Sequence, residues 1–270
     1  MSGSVGTSVP RRDAEDKLRG RTRFTVDVNT GAMLHAALRR SDVPAGRIVK
    51  IDLEPAWRMP GVRAIATAEE APGLYGIMLA DHPLFASDLI RYLGEPIAAV
   101  AAETLEQARA AADAIVIEVE EEPALITMEE ALKPGARELH PDWREYETLA
   151  GEGARSGNVA WEATAVRGDV DAAFARDDVT IIETVFRSGR QNQTPLEPRA
   201  VIANFENGRF ALTSSTQFPW AVRNATSRIL GVANSDVRVM TPAVGGGFGM
   251  KFEPSLEPFA AILSREAGRP

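Results

Sequence analysis

Residues 96–120 read as a strand, a helix and a second strand in immediate succession, and this block sets the fold class. The run Ile97-Ala98-Ala99-Val100-Ala101-Ala102 follows the turn residues Gly94-Glu95-Pro96 and carries no charge, the pattern of a strand covered on both faces. Thr104 stands three residues before Gln107, a capping-box spacing in which hydroxyl and amide satisfy the free N–H groups of a helix's first turn. That helix is expected to run to Ala114, and 115–120 to return as a strand, giving a β-α-β unit with a right-handed crossover if the strands are parallel. The expected fold class is α+β, mixed α/β.

Around this block the pattern extends in both directions. The first 20 residues are polar and read as an extended arm, after which Phe24, Val26 and Val28 alternate with Thr25 and Asp27 as in a half-buried strand. Further strands are expected at 47–53 and 62–66, separated by a short helix at 54–58 that Met59-Pro60-Gly61 stops. Residues 123–160 are rich in Pro, Gly, Glu and Asn, as expected of a linker or a surface-wrapping segment between two domains. Beyond it, Asp169 caps a helix at 170–176, and 179–186 is β-branched enough for a strand. Asn207-Gly208 joins 201–205 to 209–213 as a tight hairpin, since the pair tolerates positive φ at both turn positions. Pro219 opens a helix that ends at Leu230 with Gly231 beyond it, and 235–240 is a strand. A last helix at 253–266 carries Leu256, Phe259, Ala260, Ile262 and Leu263, a face left exposed unless more protein covers it.

Composition removes whole classes of chemistry. The 270 residues contain no Cys, so disulfides, zinc knuckles, iron–sulfur clusters and thiol nucleophiles are all excluded from this chain. The three histidines, His35, His82 and His140, are too far apart for a short metal motif, and no metal ligand is assigned. The net charge of −8 is local to 101–130, with nine acids against one base, and nothing resembles a nucleic-acid footprint. Glu118, Glu120, Glu121 and Glu122 read as a solvated sheet edge. No apolar run reaches the ~18 residues of a membrane span, and acids follow Arg11-Arg12 where an export signal needs an apolar stretch, so a cytoplasmic location is expected.

Chemistry concentrates near the end. The strand at 235–240 leads into Gly245-Gly246-Gly247-Phe248-Gly249, where unobstructed backbone N–H groups suit either an anion-binding loop or a packing turn. A phosphate-binding P-loop does not fit, because Lys251 lies between Met250 and Phe252, and a dinucleotide fingerprint fails at Met250. Two other polar segments, 190–199 and Ser214-Ser215-Thr216-Gln217, bracket the same hairpin.

PLEPR (195–199), SSTQ (214–217), LGV and VRV within 230–239, and GGGFGMK (245–251) together resemble the molybdopterin-binding large subunit of the xanthine dehydrogenase and aldehyde oxidase family. VPRRDAEDKLRGRTRFTVD (9–27), RIVKID (47–52), PGV (60–62), YLGEPIAAVAAET (92–104) and GDVDAAFA (168–175) resemble its α/β hammerhead domain and the start of its cofactor domain. The resemblance implies an arm at 1–20, a hammerhead domain at 21–130, a linker at 131–160 and the first part of a molybdopterin-binding domain at 161–270.

It further implies that Gln217 reaches an oxo group on molybdenum, and that Gly246, Gly247, Phe248 and Gly249 lie against the pterin and the metal's oxygen ligands. Arg199 either positions the site through its guanidinium fork or forms an internal salt bridge with Glu197 or another acid. The implied cofactor is molybdenum–molybdopterin, in plain or cytosine dinucleotide form, with an iron–sulfur small subunit and an FAD-binding medium subunit as partners. The implied reaction is hydroxylation of an aldehyde or N-heterocycle carbon with oxygen from water, its base a glutamate expected beyond Pro270, so that these residues alone would not turn over substrate. Purine-oxidising members often carry Glu directly after the loop Lys, where this chain has Phe252. The alternative is a noncatalytic binding or assembly module with the same fold.

Overall fold

The computed structural model describes residues 5–148 and 153–270. In chain order the first half contributes α1 (Ala14–Leu18), β1 (His35–Arg40), β2 (Gly46–Asp52), α2 (Glu54–Trp57), β3 (Val62–Ala66), β4 (Leu74–Tyr75), β5 (His82–Pro83), β6 (Leu89–Ile90), β7 (Pro96–Ala102), α3 (Leu105–Ala114) and β8 (Val116–Glu121). There follow α4 (Met128–Ala131), β9 (Ala154–Ser156), β10 (Val159–Glu162), α5 (Val170–Phe174), β11 (Val201–Glu206), β12 (Arg209–Ser214), α6 (Pro219–Leu230), β13 (Val237–Met240) and α7 (Glu257–Ala267). The fold is mixed helix and sheet, as expected.

Three sheets carry it: β1-β7-β3, β6-β2-β8 and β11-β12-β13. All seven residues of β7 are buried. Ala98 and Val100 face Ala56 of α2 and Ala111 and Ala112 of α3, whereas Ala99 and Ala101 face Phe259, Ile262 and Leu263 of α7 and Ile229 of α6. Phe85 meets Phe259 edge to face at 5.0 Å between ring centroids. The first-half sheet and the C-terminal helices therefore share one core. Helix α3 starts with the anticipated capping box: Thr104 Oγ1 accepts from Gln107 N at 3.2 Å, and Gln107 Oε1 accepts from Thr104 N at 3.1 Å.

The β-α-β block is built differently from a parallel crossover. β7 pairs antiparallel with β1 and β3, while β8 pairs antiparallel with β2 in another sheet, because the single residue Ile115 between α3 and β8 leaves no length for a return alongside β7. β8 forms a sheet edge, and its acidic residues 118, 120 and 121 are exposed. Residues 24–28 do not form a strand: the Asp27 carboxylate accepts from Phe24 N at 2.9 Å and closes a 3₁₀ turn at Thr25–Asp27. The arm is not wholly extended, since Lys17 and Arg19 pair with Asp13 and Glu15 across the one-turn α1. Residues 179–186 pair with no strand among the described residues, and Ile182 and Phe186 are exposed.

Other expectations hold with small changes. The hairpin β11–β12 pairs Glu206 with Arg209 around Asn207-Gly208, and Gly231 ends α6 at φ +65°. β13 starts two residues late, after a 3₁₀ turn at Asn234–Asp236. The 131–160 segment wraps the surface, tied down by Asn158, which accepts from Leu139 N at 2.8 Å and donates to the carbonyls of Ala131 and Arg137. Residues 149–152 of that segment, and 1–4 of the arm, lie outside the described residues. β1, which sequence periodicity does not show, is an edge strand with Ala37-Leu38 at its centre. The apolar face of α7 is covered from within this chain, with Ile262 fully buried.

The C-terminal end is anchored to the first sheet. Arg269 donates to both oxygens of Glu103, at 2.7 and 3.1 Å, and to Ala32 O, while Arg63 donates to Glu103 at 2.7 Å. Arg269 first and Arg63 second hold the Glu103 carboxyl down at about 2, from an ordinary 4.5.

This packing makes two measurable claims. Ile262→Ala should cost about 2–5 kcal/mol in a urea titration, and the variant should still unfold in a single transition because the cavity opens in a core that both halves share. Because the folded pKa of Glu103 is depressed, its contribution is complete above about pH 4.5 and is lost as pH falls towards about 2. Glu103→Gln should flatten the stability–pH curve in that window and leave its shape above it unchanged.

Candidate functional site

Three segments converge where β13 ends. β12 runs parallel to β13, so the polar stretch after β12 (214–217) and the glycine loop reached through β13 leave the sheet at the same end. Residues 195–199 enter β11 beside them, and Glu197 N donates to Gly245 O at 3.2 Å. The sequence pattern has these segments bracketing one sheet, and the structure brings all three into contact.

The contacts are specific. Gln217 N and Thr216 Oγ1 both donate to the carbonyl of Lys251, at 3.1 and 3.2 Å, which fixes the far side of the loop against the 214–217 segment. Gln217 Oε1 accepts from Gly249 N at 3.2 Å. A Cβ on Gly247 would lie 2.4 Å from that same oxygen, so glycine at this position lets the Gln217 side chain lie across the loop. Phe248 adopts φ +51°, unusual for a side chain of its size, and its ring is exposed at the rim. Behind the loop, Phe218 and Phe252 stack at 4.6 Å.

Of the two roles open to Arg199, the salt bridge with Glu197 does not form. The Arg199 guanidinium donates to the carbonyl oxygens of Met250 and, at 3.0 Å, Glu253, so the fork holds the backbone that leaves the loop. Glu197 is engaged elsewhere. Its Oε2 accepts from Lys251 Nζ at 2.7 Å and from Gly245 N at 2.6 Å, in a pair whose side chains are 1% and 6% exposed for Lys and Glu. Sequence reasoning takes Lys251 only as an argument against a phosphate loop and misses this pair. Its signal is a Glu and a Lys inside two motifs otherwise made mainly of Pro, Gly and apolar residues.

Glu257 at the start of α7 completes the frame. It accepts from Ser214 Oγ at 2.6 Å and from the amides of Ser255 and Leu256, so a carboxylate occupies the positive end of that helix. Among the described residues the N–H groups of Gly246, Gly247 and Phe248 and the Nε2 of Gln217 have no intramolecular partner. A cleft of about 540 Å³ adjoins the loop, with Tyr75, Tyr92, Pro195, Arg199, Met250 and Phe259 in its walls. Burial pushes the Tyr75 hydroxyl up to about 12, so it stays protonated there. No group of three or more His, Asp or Glu able to hold a metal occurs among the described residues, nor does a helix long and apolar enough to cross a membrane.

The structure thus joins a glycine-loop unit with free backbone amides to a second unit through a shared core. Residues 19–123 match the family model "Aldehyde oxidase and xanthine dehydrogenase, a/b hammerhead domain", and residues 152–270 match "Molybdopterin cofactor-binding domain". The chain belongs to the xanthine dehydrogenase and aldehyde oxidase family and corresponds to part of its molybdopterin-binding large subunit. It is 34% identical over 96% of its length to a probable xanthine dehydrogenase subunit of Bacillus subtilis (strain 168), spanning 33% of that protein. It is 33% identical over 98% of its length to the nicotinate dehydrogenase large molybdopterin subunit of Eubacterium barkeri, spanning 60% of it. Among solved structures, quinoline 2-oxidoreductase from Pseudomonas putida 86 superposes with a TM-score of 0.84 at 32% identity, over 99% of this chain and 34% of that one. Aldehyde oxidoreductase from Desulfovibrio gigas gives the same TM-score at 27% identity, over 98% of this chain and 29% of that one.

Because the atom nearest a Cβ at 247 is the far end of a flexible side chain, Gly247→Ala should change unfolding stability by less than about 1 kcal/mol. It should nevertheless displace Gln217 and free the Gly249 amide, read as faster hydrogen exchange at Gly249 with the rest of the domain unchanged.

Proposed function

We propose that this chain supplies the glycine-loop wall of a molybdenum–molybdopterin site, in a hydroxylase acting on an aldehyde or N-heterocycle carbon. The observation that carries the reading is the convergence of free donors, the amides of Gly246, Gly247 and Phe248 and the Gln217 Nε2, on a loop where a Cβ at 247 would already collide. Such a surface suits a flat, acceptor-rich group that must approach backbone closely. The residues therefore fit molybdopterin, whose metal is held by the pterin's own sulfurs and asks no His or Cys of the protein. Bound there, the cofactor would supply two-electron oxidation of carbon with oxygen drawn from water.

Each residue has a defined part. Gln217 has its Oε1 fixed by Gly249 N–H, so its Nε2 is presented in a set direction as a donor to an acceptor on the bound group. Gly246, Gly247 and Gly249 put no side chain on the loop surface, and Phe248 adds an exposed ring, which would exclude water from one side of a bound group. Arg199 holds the exit of the loop through two carbonyls and acts at one remove from the cofactor. None of these six residues can accept the substrate's proton, so the base is a group outside the set. A chain without Cys has no iron–sulfur ligands, which supports partners carrying iron–sulfur clusters and FAD as the electron route. The relatives named for nicotinate and quinoline support an N-heterocyclic substrate, and Phe252 after Lys251 argues against a purine.

The test is elemental and pterin analysis of the intact complex, with turnover in ¹⁸O-labelled water. We expect about one molybdenum and one pterin per chain and labelled oxygen in the product, with a cytosine nucleotide released if the cofactor is the cytosine dinucleotide form. Gln217→Ala should retain the metal and lower kcat by about 10–1000-fold. Metal-free protein that still assembles with partners would favour the noncatalytic reading.

A further inference from the structure

The buried pair Glu197–Lys251 has no task in the reading above, yet it lies directly under the loop. Glu197 belongs to the segment before β11 and Lys251 to the end of the glycine loop. One oxygen, Glu197 Oε2, receives both Lys251 Nζ and the N–H of Gly245, the first residue of the loop. The two ends of the 245–251 turn are thus drawn onto a single atom. The other oxygen, Oε1, is buried with no partner among the described residues, so this carboxylate is not placed to satisfy itself but to serve that one junction. A Cβ on Gly245 would lie 2.5 Å from Glu197 Cβ, which means the carboxylate side chain runs in contact with the loop backbone.

Two independent features require this clamp. Phe248 sits at φ +51°, a conformation that relaxes unless its surroundings hold it. The other ties of 245–251 among the described residues run to Glu197 N, Thr216, Gln217, Arg199 and Phe252 N, or from Met250 N to Gly247 O within the loop, and of all the partner atoms only Glu197 Oε2 is shared by the loop's first and last residues. From this geometry we propose that Glu197 and Lys251 are positioning residues that set the aim of the loop amides, Glu197 as the shared acceptor and Lys251 as the charge that keeps a carboxylate buried there. The proposal rests on the cofactor-site reading only for what the amides are aimed at; the clamping itself concerns this chain alone.

The charge logic gives a test that separates clamping from packing. Lys251→Met leaves a buried carboxylate uncompensated, and the loop must open to hydrate it. In Glu197→Gln/Lys251→Met both charges are gone but a side-chain oxygen still accepts from Gly245, and in Glu197→Leu/Lys251→Met that acceptor is gone as well. In the intact protein we expect hydrogen exchange across 245–249 to rise at least about tenfold in Lys251→Met and in the Leu/Met pair, and to return to within about threefold of wild type in the Gln/Met pair. Molybdenum per chain, measured on the same preparations, should follow the same order while the unfolding temperatures of the two double variants stay alike. Equal loop exchange in the Gln/Met and Leu/Met proteins would overturn the clamp, as would metal loss that merely tracks the unfolding temperature. If loop exchange behaves as expected but wild type holds no molybdenum, the clamp stands and the cofactor reading fails.

Discussion

Burial of β7 from both sides is the interaction on which the rest of this structure depends. One face takes α2 and α3, and the other takes α6 and α7. A strand of mostly alanine gains little from each side chain, and it is the number of apolar groups brought against it that makes the layer stable. Because α7 begins six residues after Lys251, the position of that helix against β7 also fixes where the glycine loop must end. The hammerhead half and the loop half are held together by shared core as well as by chain connectivity. Arg269 and Glu103 repeat the connection at the other end of α7.

Around the loop the structure places charge where the loop itself has none. Lys251 and Glu257 are buried with their carboxylate or hydroxyl partners, and the Arg199 fork is spent on two carbonyls. Each of these groups points at backbone or at a close side-chain partner, which leaves the exposed surface of the loop to neutral donors. Preorganised dipoles of this kind need not rearrange when a ligand arrives, and they act more strongly where water is excluded. Order in the loop is thus set from behind, by ionic contacts the ligand would never touch.

Much of this is legible in the residues, and what is not has physical reasons. The caps and turns at Thr104, Asp169, Asn207-Gly208 and Gly231 can be read directly, because a local hydrogen bond or a positive φ is a property of a few adjacent residues. The motifs at 195–199, 214–217 and 245–251 also meet as expected. Long-range choices are harder. The one-residue link at Ile115 does not say which strand β8 joins instead of β7, nothing in 253–266 says that β3 and β11 lie ready to cover α7, and the alternation at 24–28 loses to one carboxylate, Asp27. Arg199 and Glu197 are close in sequence and of opposite charge, yet each finds its partner about fifty residues away, where no local pattern reaches.

The alanines at 98, 99, 101 and 102 have one more implication. A strand whose side chains are a single carbon long sets the spacing between the layers on either side, and a close-packed interior has no slack in which to absorb a longer one. Enlarging any of them would push α3 or α7 outward, and a moved α7 carries Glu257 and the end of the glycine loop with it. The first half of the chain therefore acts as a ruler: its thinnest strand sets how far from the sheet the glycine loop can stand.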